Sequence, residues 1–106
     1  MPLLINTDVA RECNPTTLLP NRFSFPEDAR EQIKRGRDFS REVWGSDIIG
    51  MWPSEGAVSE DAISLATQEG VKWLATGEDI LFRSLGMKKE TAWAELYLPH
   101  LWKKGE

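Results

Sequence analysis

Apolar residues along this chain gather in short clusters separated by turn formers, and the clusters switch between strand-like runs and helical spacing. Leu3-Leu4-Ile5 reads as the end of a buried strand, left by Asn6-Thr7-Asp8 as a loop. From Asn14 to Pro26 three prolines and several Asn, Thr and Ser residues predict an irregular connection. Pro26 suits a first helical position, where a missing N–H costs nothing, and Glu27 and Asp28 complement the helix dipole. Ala29, Ile33, Gly36, Phe39 and Val43 then keep helical spacing, and the helix is expected to end near Gly45. Asp47 to Trp52 reads as a short buried strand that Pro53, lacking an N–H, terminates.

Ser59 ahead of Glu60 and Asp61 offers a hydroxyl cap followed by acids, so a helix is expected from Ser59 to Glu69 with Gly70 as its stop. Val71 to Ala75 is the next predicted strand. Thr76 and Asp79 have capping-box spacing ahead of Ile80, Leu81 and Leu85, with a further stop at Gly86. Lys88 to Glu95 reads as one or two more helical turns. The alternation of strand and helix predicts an α/β fold with parallel pairing and right-handed crossovers. No repeat or low-complexity tract interrupts the 106 residues, which read as one unit.

Composition narrows the partners. Hydrophobic residues make up 41 % and charged residues 28 %, ordinary for a folded domain, so disorder is not expected over most of the length. A net charge of -4 argues against nucleic acid or an anionic membrane, because phosphate binding needs a basic face. Lys34, Arg35 and Arg37 are interleaved with Glu31 and Asp38 and read as a solvated helix face. No span approaches the ~20 apolar residues that cross a bilayer. Cys13 alone cannot form an internal disulfide and no basic n-region precedes an apolar core, which reads as cytoplasmic. His100 is the single histidine, the chain lacks a Gly-rich phosphate loop, and no base stands at recognisable spacing from Cys13, so neither metal nor other cofactor is expected.

The candidate chemistry lies in Gly50-Met51-Trp52-Pro53-Ser54-Glu55-Gly56. A strand-to-helix loop at the C-terminal edge of a parallel sheet is where α/β folds build their sites, and it holds a carboxylate three residues after an aromatic plate. Spacing alone leaves Glu55 readable as a solvated loop charge and Trp52 as a core residue. Asp8 and Glu78 stand just beyond predicted strand ends, on the same rim if the strands are parallel; loop capping is their other reading. Trp44, Trp73, Trp93 and Trp102 read as packing residues.

Trp52-Pro53-Ser54-Glu55-Gly56, Val58-Ser59-Glu60, Gly70-Val71-Lys72-Trp73 and Ala75-Thr76-Gly77-Glu78 occur in that order. They resemble a conserved region of glycoside hydrolase family 57, the α-amylase or α-mannosidase-like subgroup of retaining enzymes acting on α-linked glucans. Asn6 to Glu12, and Arg22 to Ala29, are similar to the stretch preceding that region, so the likeness runs from about Pro2 to Leu98. The resemblance implies that Glu55 is the catalytic nucleophile, with Trp52, Asp8 and Glu78 as substrate contacts and an α-glucan or oligosaccharide as partner.

It also implies that the chain is a segment of an incomplete seven-stranded β/α barrel. About three parallel strands cannot close a barrel, so exposed edges are expected to be covered by a second copy or by the remainder of a longer chain. The family's general acid is an aspartate in a later conserved region without counterpart here, so the segment is expected to be inactive alone. Where subgroup members carry Asp, this chain has Asn6 and Gly77. The alternative is a non-catalytic carbohydrate-binding or interaction module with the same fold. Either way the expected geometry is a carboxylate just past a Trp-Pro bend, projecting into a sugar-sized hollow.

Overall fold

A computed structural model describes residues 5–19, 21–88 and 93–103, Cys13 by its backbone only. Its centre is a parallel pair, β1 (Gly50–Met51) and β2 (Trp73–Leu74), in register Gly50 to Trp73 and Met51 to Leu74. The pairing reaches beyond these bounds: the Ile49 carbonyl accepts from the Lys72 amide at 2.7 Å and the Met51 carbonyl from the Ala75 amide at 3.1 Å. Strands expected over 47–52 and 71–75 are thus correctly located and shorter, since neither has a second bonded strand among the described residues.

Four α-helices are described, α1 (Thr7–Cys13), α2 (Pro26–Trp44), α3 (Glu60–Gln68) and α4 (Glu78–Ser84). Helix α2 starts with Pro26 in its first turn and ends at left-handed Gly45, as its sequence predicts. Helix α3 is capped by Ser59, whose Oγ accepts from the Ala62 amide at 3.2 Å. It supplies the crossover between β1 and β2, the unit that parallel pairing requires. The arrangement is mixed helix with a two-stranded parallel sheet, compatible with an α/β class.

Three sequence expectations are corrected. The first of the three strands is not found: Leu3 and Leu4 lie outside the described residues and Ile5 is helical. Asn6-Thr7-Asp8 is no loop, because the Asn6 side chain accepts from the Asp8 amide at 3.0 Å and caps α1. Thr76 does not cap α4; Gly77 occupies that position and the threonine hydroxyl goes elsewhere. Of the turns expected over Lys88 to Glu95, residues 89–92 lie outside the described residues, and Trp93–Tyr97 is a 3-10 turn.

The core forms where α2 and α3 cover one face of the sheet. Ile5, Ala29, Ile33, Ala62, Leu65, Ala66 and Val71 are buried together, with Met51 and Leu74 packed half-buried against them. Alanines on both helices allow a close approach, and Ala29 and Ala66 lose all contact with water. The second half of α2 contributes little: Phe39 and Trp44 are exposed, the latter by 71 %.

Arg37 ties this assembly together. Its Nε donates to the Ile48 carbonyl at 3.2 Å, just before β1, and its Nη1 donates to the Glu69 carbonyl at the end of α3. It is therefore no member of the solvated face predicted for it, whereas Arg35 is, its Nε pairing with Glu31 at 2.8 Å in the open.

Candidate functional site around Glu55

Alternation across β1 sorts the residues leading into the site. Met51 packs toward the helices and Pro53 is fully buried, while Gly50 and Trp52 belong to the opposite face. Trp52 is 62 % exposed there. With Pro53 anchored and unable to extend a ladder, the chain leaves the sheet into a 3-10 turn, Ser54–Gly56.

Glu55 is the only described non-glycine residue with positive φ, at φ 57 and ψ 20. For an L-residue this left-handed conformation costs roughly 1–2 kcal/mol, and such strain gathers at functional sites. Gly56 follows at φ 64, and it is buried against Trp52 Cζ2, the Gly77 amide and Thr76 Oγ1. Thr76 then donates its hydroxyl to the Gly56 carbonyl at 2.5 Å. This bond joins the Glu55 turn to the β2–α4 connection, so two successive strand ends meet at one rim, and Glu78 opens α4 two residues after Thr76.

Glu55 is exposed on the turn. A depression of about 330 Å3 lies between α2 and β1, bordered by Gln32, Ile33, Arg37, Met51 and Ser54 among others. None of Glu55, Trp52, Glu78 or Asp8 lines it. Asp8 is likewise differently placed: it sits in α1, where Arg22 Nε approaches it at 2.9 Å and Arg11 at 3.4 Å. Of the four sequence-predicted residues, the structure brings the segments of Trp52, Glu55 and Glu78 together and engages Asp8 in local ion pairs.

Trp73 was missed from sequence. It is 58 % exposed rather than packed, and its indole lies across Gly50, where a Cβ would overlap the ring. Trp44 and Trp93 are also exposed, although Trp93 meets Phe82 edge-on with centroids 6.3 Å apart; Trp102 is half-buried. A glycine opposite an aromatic in the paired strand was the available signal, but reading it required the register.

The strain at Glu55 predicts a stability response. Glu55→Gly is expected to raise the unfolding free energy by about 0.5–1 kcal/mol, the left-handed penalty relieved less the entropy of a freer unfolded chain. Urea denaturation measures it; a lower midpoint in the glycine variant would show that the backbone there is held without strain.

No group of three or more His, Cys, Asp or Glu among the described residues could hold a metal ion. No described helix is long and apolar enough to cross a membrane. Among curated proteins and among solved structures, nothing matches the chain. The sequence profile described as glycosyl hydrolase family 57 matches residues 2–106. A match over nearly the whole length shows that the chain belongs to glycosyl hydrolase family 57, a family that implies a carbohydrate substrate.

Proposed function

We propose that this chain is a segment of a retaining glycoside hydrolase or glucanotransferase acting on α-linked glucans, and that Glu55 is its nucleophile. The observation that carries the reading is the left-handed, exposed Glu55, standing where glycine would be easier, at the end of a parallel strand between Trp52 and the Thr76-bonded Gly56. In this mechanism a Glu55 carboxylate oxygen attacks the anomeric carbon, the bond to the leaving oxygen breaks, and a glycosyl ester forms; water later cleaves the ester with net retention.

Retention requires a protonated carboxyl about 5–5.5 Å from the nucleophile. By resemblance that acid belongs to a later conserved region, so the 106 residues alone turn over no underivatised glucan. Trp52 offers a face for a sugar ring and Glu78 an acceptor for its hydroxyls; Asp8 takes the outer contact once Arg22 and Arg11 release it.

The test exploits leaving-group chemistry. Fluoride departs without a proton, so a 5-fluoro-α-glucosyl fluoride needs only the nucleophile: the Glu55 Oε–C1 bond forms, C1–F breaks, and the slow-turnover ester accumulates. Intact-mass and peptide analysis are expected to find one glycosyl adduct, on Glu55. No adduct, or an adduct on another residue, removes Glu55 from the role.

A second reading, the non-catalytic carbohydrate-binding or interaction module, is favoured by Gly77. Its amide lies 3.6 Å from the Cβ position of Gly56 and nothing approaches its own Cβ position, so a site that carries Asp in the subgroup is vacant beside the turn. Calorimetric binding of maltooligosaccharide without the adduct supports this reading.

A further inference from the structure

We infer that Trp73 is a second sugar-stacking plate, set one position further along the sheet from Glu55 than Trp52, and that Gly50 exists as its seat. The inference rests on the glycan reading of the Glu55 site and extends it to a neighbouring subsite. Three observations carry it. Gly50 pairs with Trp73 across the two strands, and the indole lies over the glycine where any Cβ would overlap it. A ring lying over backbone is held at a defined attitude, which an exposed tryptophan with nothing beneath it lacks. The ring stays more than half exposed on its outer side, so it is supported from below and open above.

Second, the face is shared. Met51 and Leu74 pack against the helical core, so Gly50, Trp52 and Trp73 occupy the other face of the sheet. Trp52 touches a glycine of its own in ordinary van der Waals contact, its Cζ2 3.5 Å from the Cβ position of Gly56. Trp52 lies two residues beyond Gly50, the partner of Trp73, a separation of roughly 6.6 Å in extended chain, so the two indoles lie on one face along the path that leads to the Glu55 turn.

Third, the acidic rim selects the occupant. Glu55 and Glu78 stand where that path ends, and the chain as a whole carries a net charge of -4. A second copy docked face to face would bring those carboxylates together, a repulsive arrangement. A neutral glucan suffers no such repulsion: its C–H faces lie on indoles and its hydroxyls donate to carboxylates.

The experiment uses the whole chain and two readouts, maltohexaose binding by calorimetry and Glu55 labelling by the monosaccharide fluoride. Trp73→Ala is expected to weaken maltohexaose binding about tenfold while leaving labelling unchanged, because the labelling sugar occupies only the position at Glu55. Trp73→Phe is expected to recover part of the loss. Gly50→Ala, which leaves Trp73 in the chain but pushes its ring off the strand, is expected to reproduce it.

Labelling at Glu55 with maltohexaose affinity unchanged in Trp73→Ala overturns the plate and leaves the nucleophile standing. A wild-type chain that neither binds nor labels overturns both. A variant that changes only the oligomeric state, seen by ultracentrifugation, makes the face a contact between copies and overturns the inference.

Discussion

Glu55→Gln is expected to eliminate glycosyl-enzyme formation, lowering its rate by on the order of 10^4-fold or more, the scale on which loss of a covalent nucleophile acts. Glutamine keeps the length and planarity of the side chain but removes the negative charge that attacks the anomeric carbon. The change is local, since Glu55 is exposed and none of its side-chain atoms supports the core. Stability should therefore shift by less than about 0.5 kcal/mol, as for surface substitutions generally. That separation gives the experiment its force: a large loss of labelling with an unchanged melting curve assigns the chemistry to the carboxylate. Undiminished labelling in the glutamine variant would transfer the reaction to another group, with Glu78 the first to examine. Oligosaccharide affinity should fall only slightly, because an amide oxygen still accepts from sugar hydroxyls.

The second large effect is structural. Arg37→Ala is expected to cost roughly 2–4 kcal/mol, because two charge-assisted bonds disappear at once and each is worth about 1.5–3 kcal/mol before partial hydration of the freed carbonyls. Those carbonyls belong to Ile48, just ahead of β1, and Glu69, at the end of α3. In a chain with so small a core, that loss is a large share of the total stability. Arg37→Lys should rescue little, since one ammonium cannot reproduce a planar fork that reaches two acceptors. Chemical denaturation of the three proteins provides the test. Wild-type stability in Arg37→Ala would mean that water replaces the guanidinium without penalty.

Sequence reasoning located the elements opened or closed by proline, serine and glycine signals. Pro26 opening α2, the Ser59 hydroxyl opening α3, and the glycine stops at Gly45, Gly70 and Gly86 all depend on neighbours in the chain, and all are found with the expected character. Pro53 ended its strand for the same reason. What escaped depended mostly on residues far apart, the Asn6 cap of α1 being the local exception. Arg37 looked like one charge among several on a polar helix face, and only the approach of Ile48 and Glu69 makes it a clasp. Thr76 had the spacing of a cap, but its hydroxyl donates to the Gly56 carbonyl, twenty residues earlier, and Gly77 takes the cap position. Asn6 and Asp8 opened a helix rather than a loop because the asparagine side chain satisfied an orphan amide.

For the candidate site, the Trp52–Glu55 motif was legible because the resemblance is carried by contiguous residues. The left-handed backbone of Glu55 was not, since the sequence offered Gly56 as the obvious bearer of positive φ and the structure uses both. The role of Trp73 could not be read without knowing which residue faces it across the sheet.

The Thr76–Gly56 bond and the Arg37 clasp close the strand-helix-strand unit at its two opposite ends. Genetic exchange between related sequences is constrained accordingly. A breakpoint within the interval from Arg37 to Thr76 separates partners that hold one another, whereas replacing the interval whole transfers the carboxylate together with both the latch and the clasp that position it. Chimeras cut at its borders should therefore inherit the placement of Glu55 intact, which makes the interval, rather than the single glutamate, the unit to transplant.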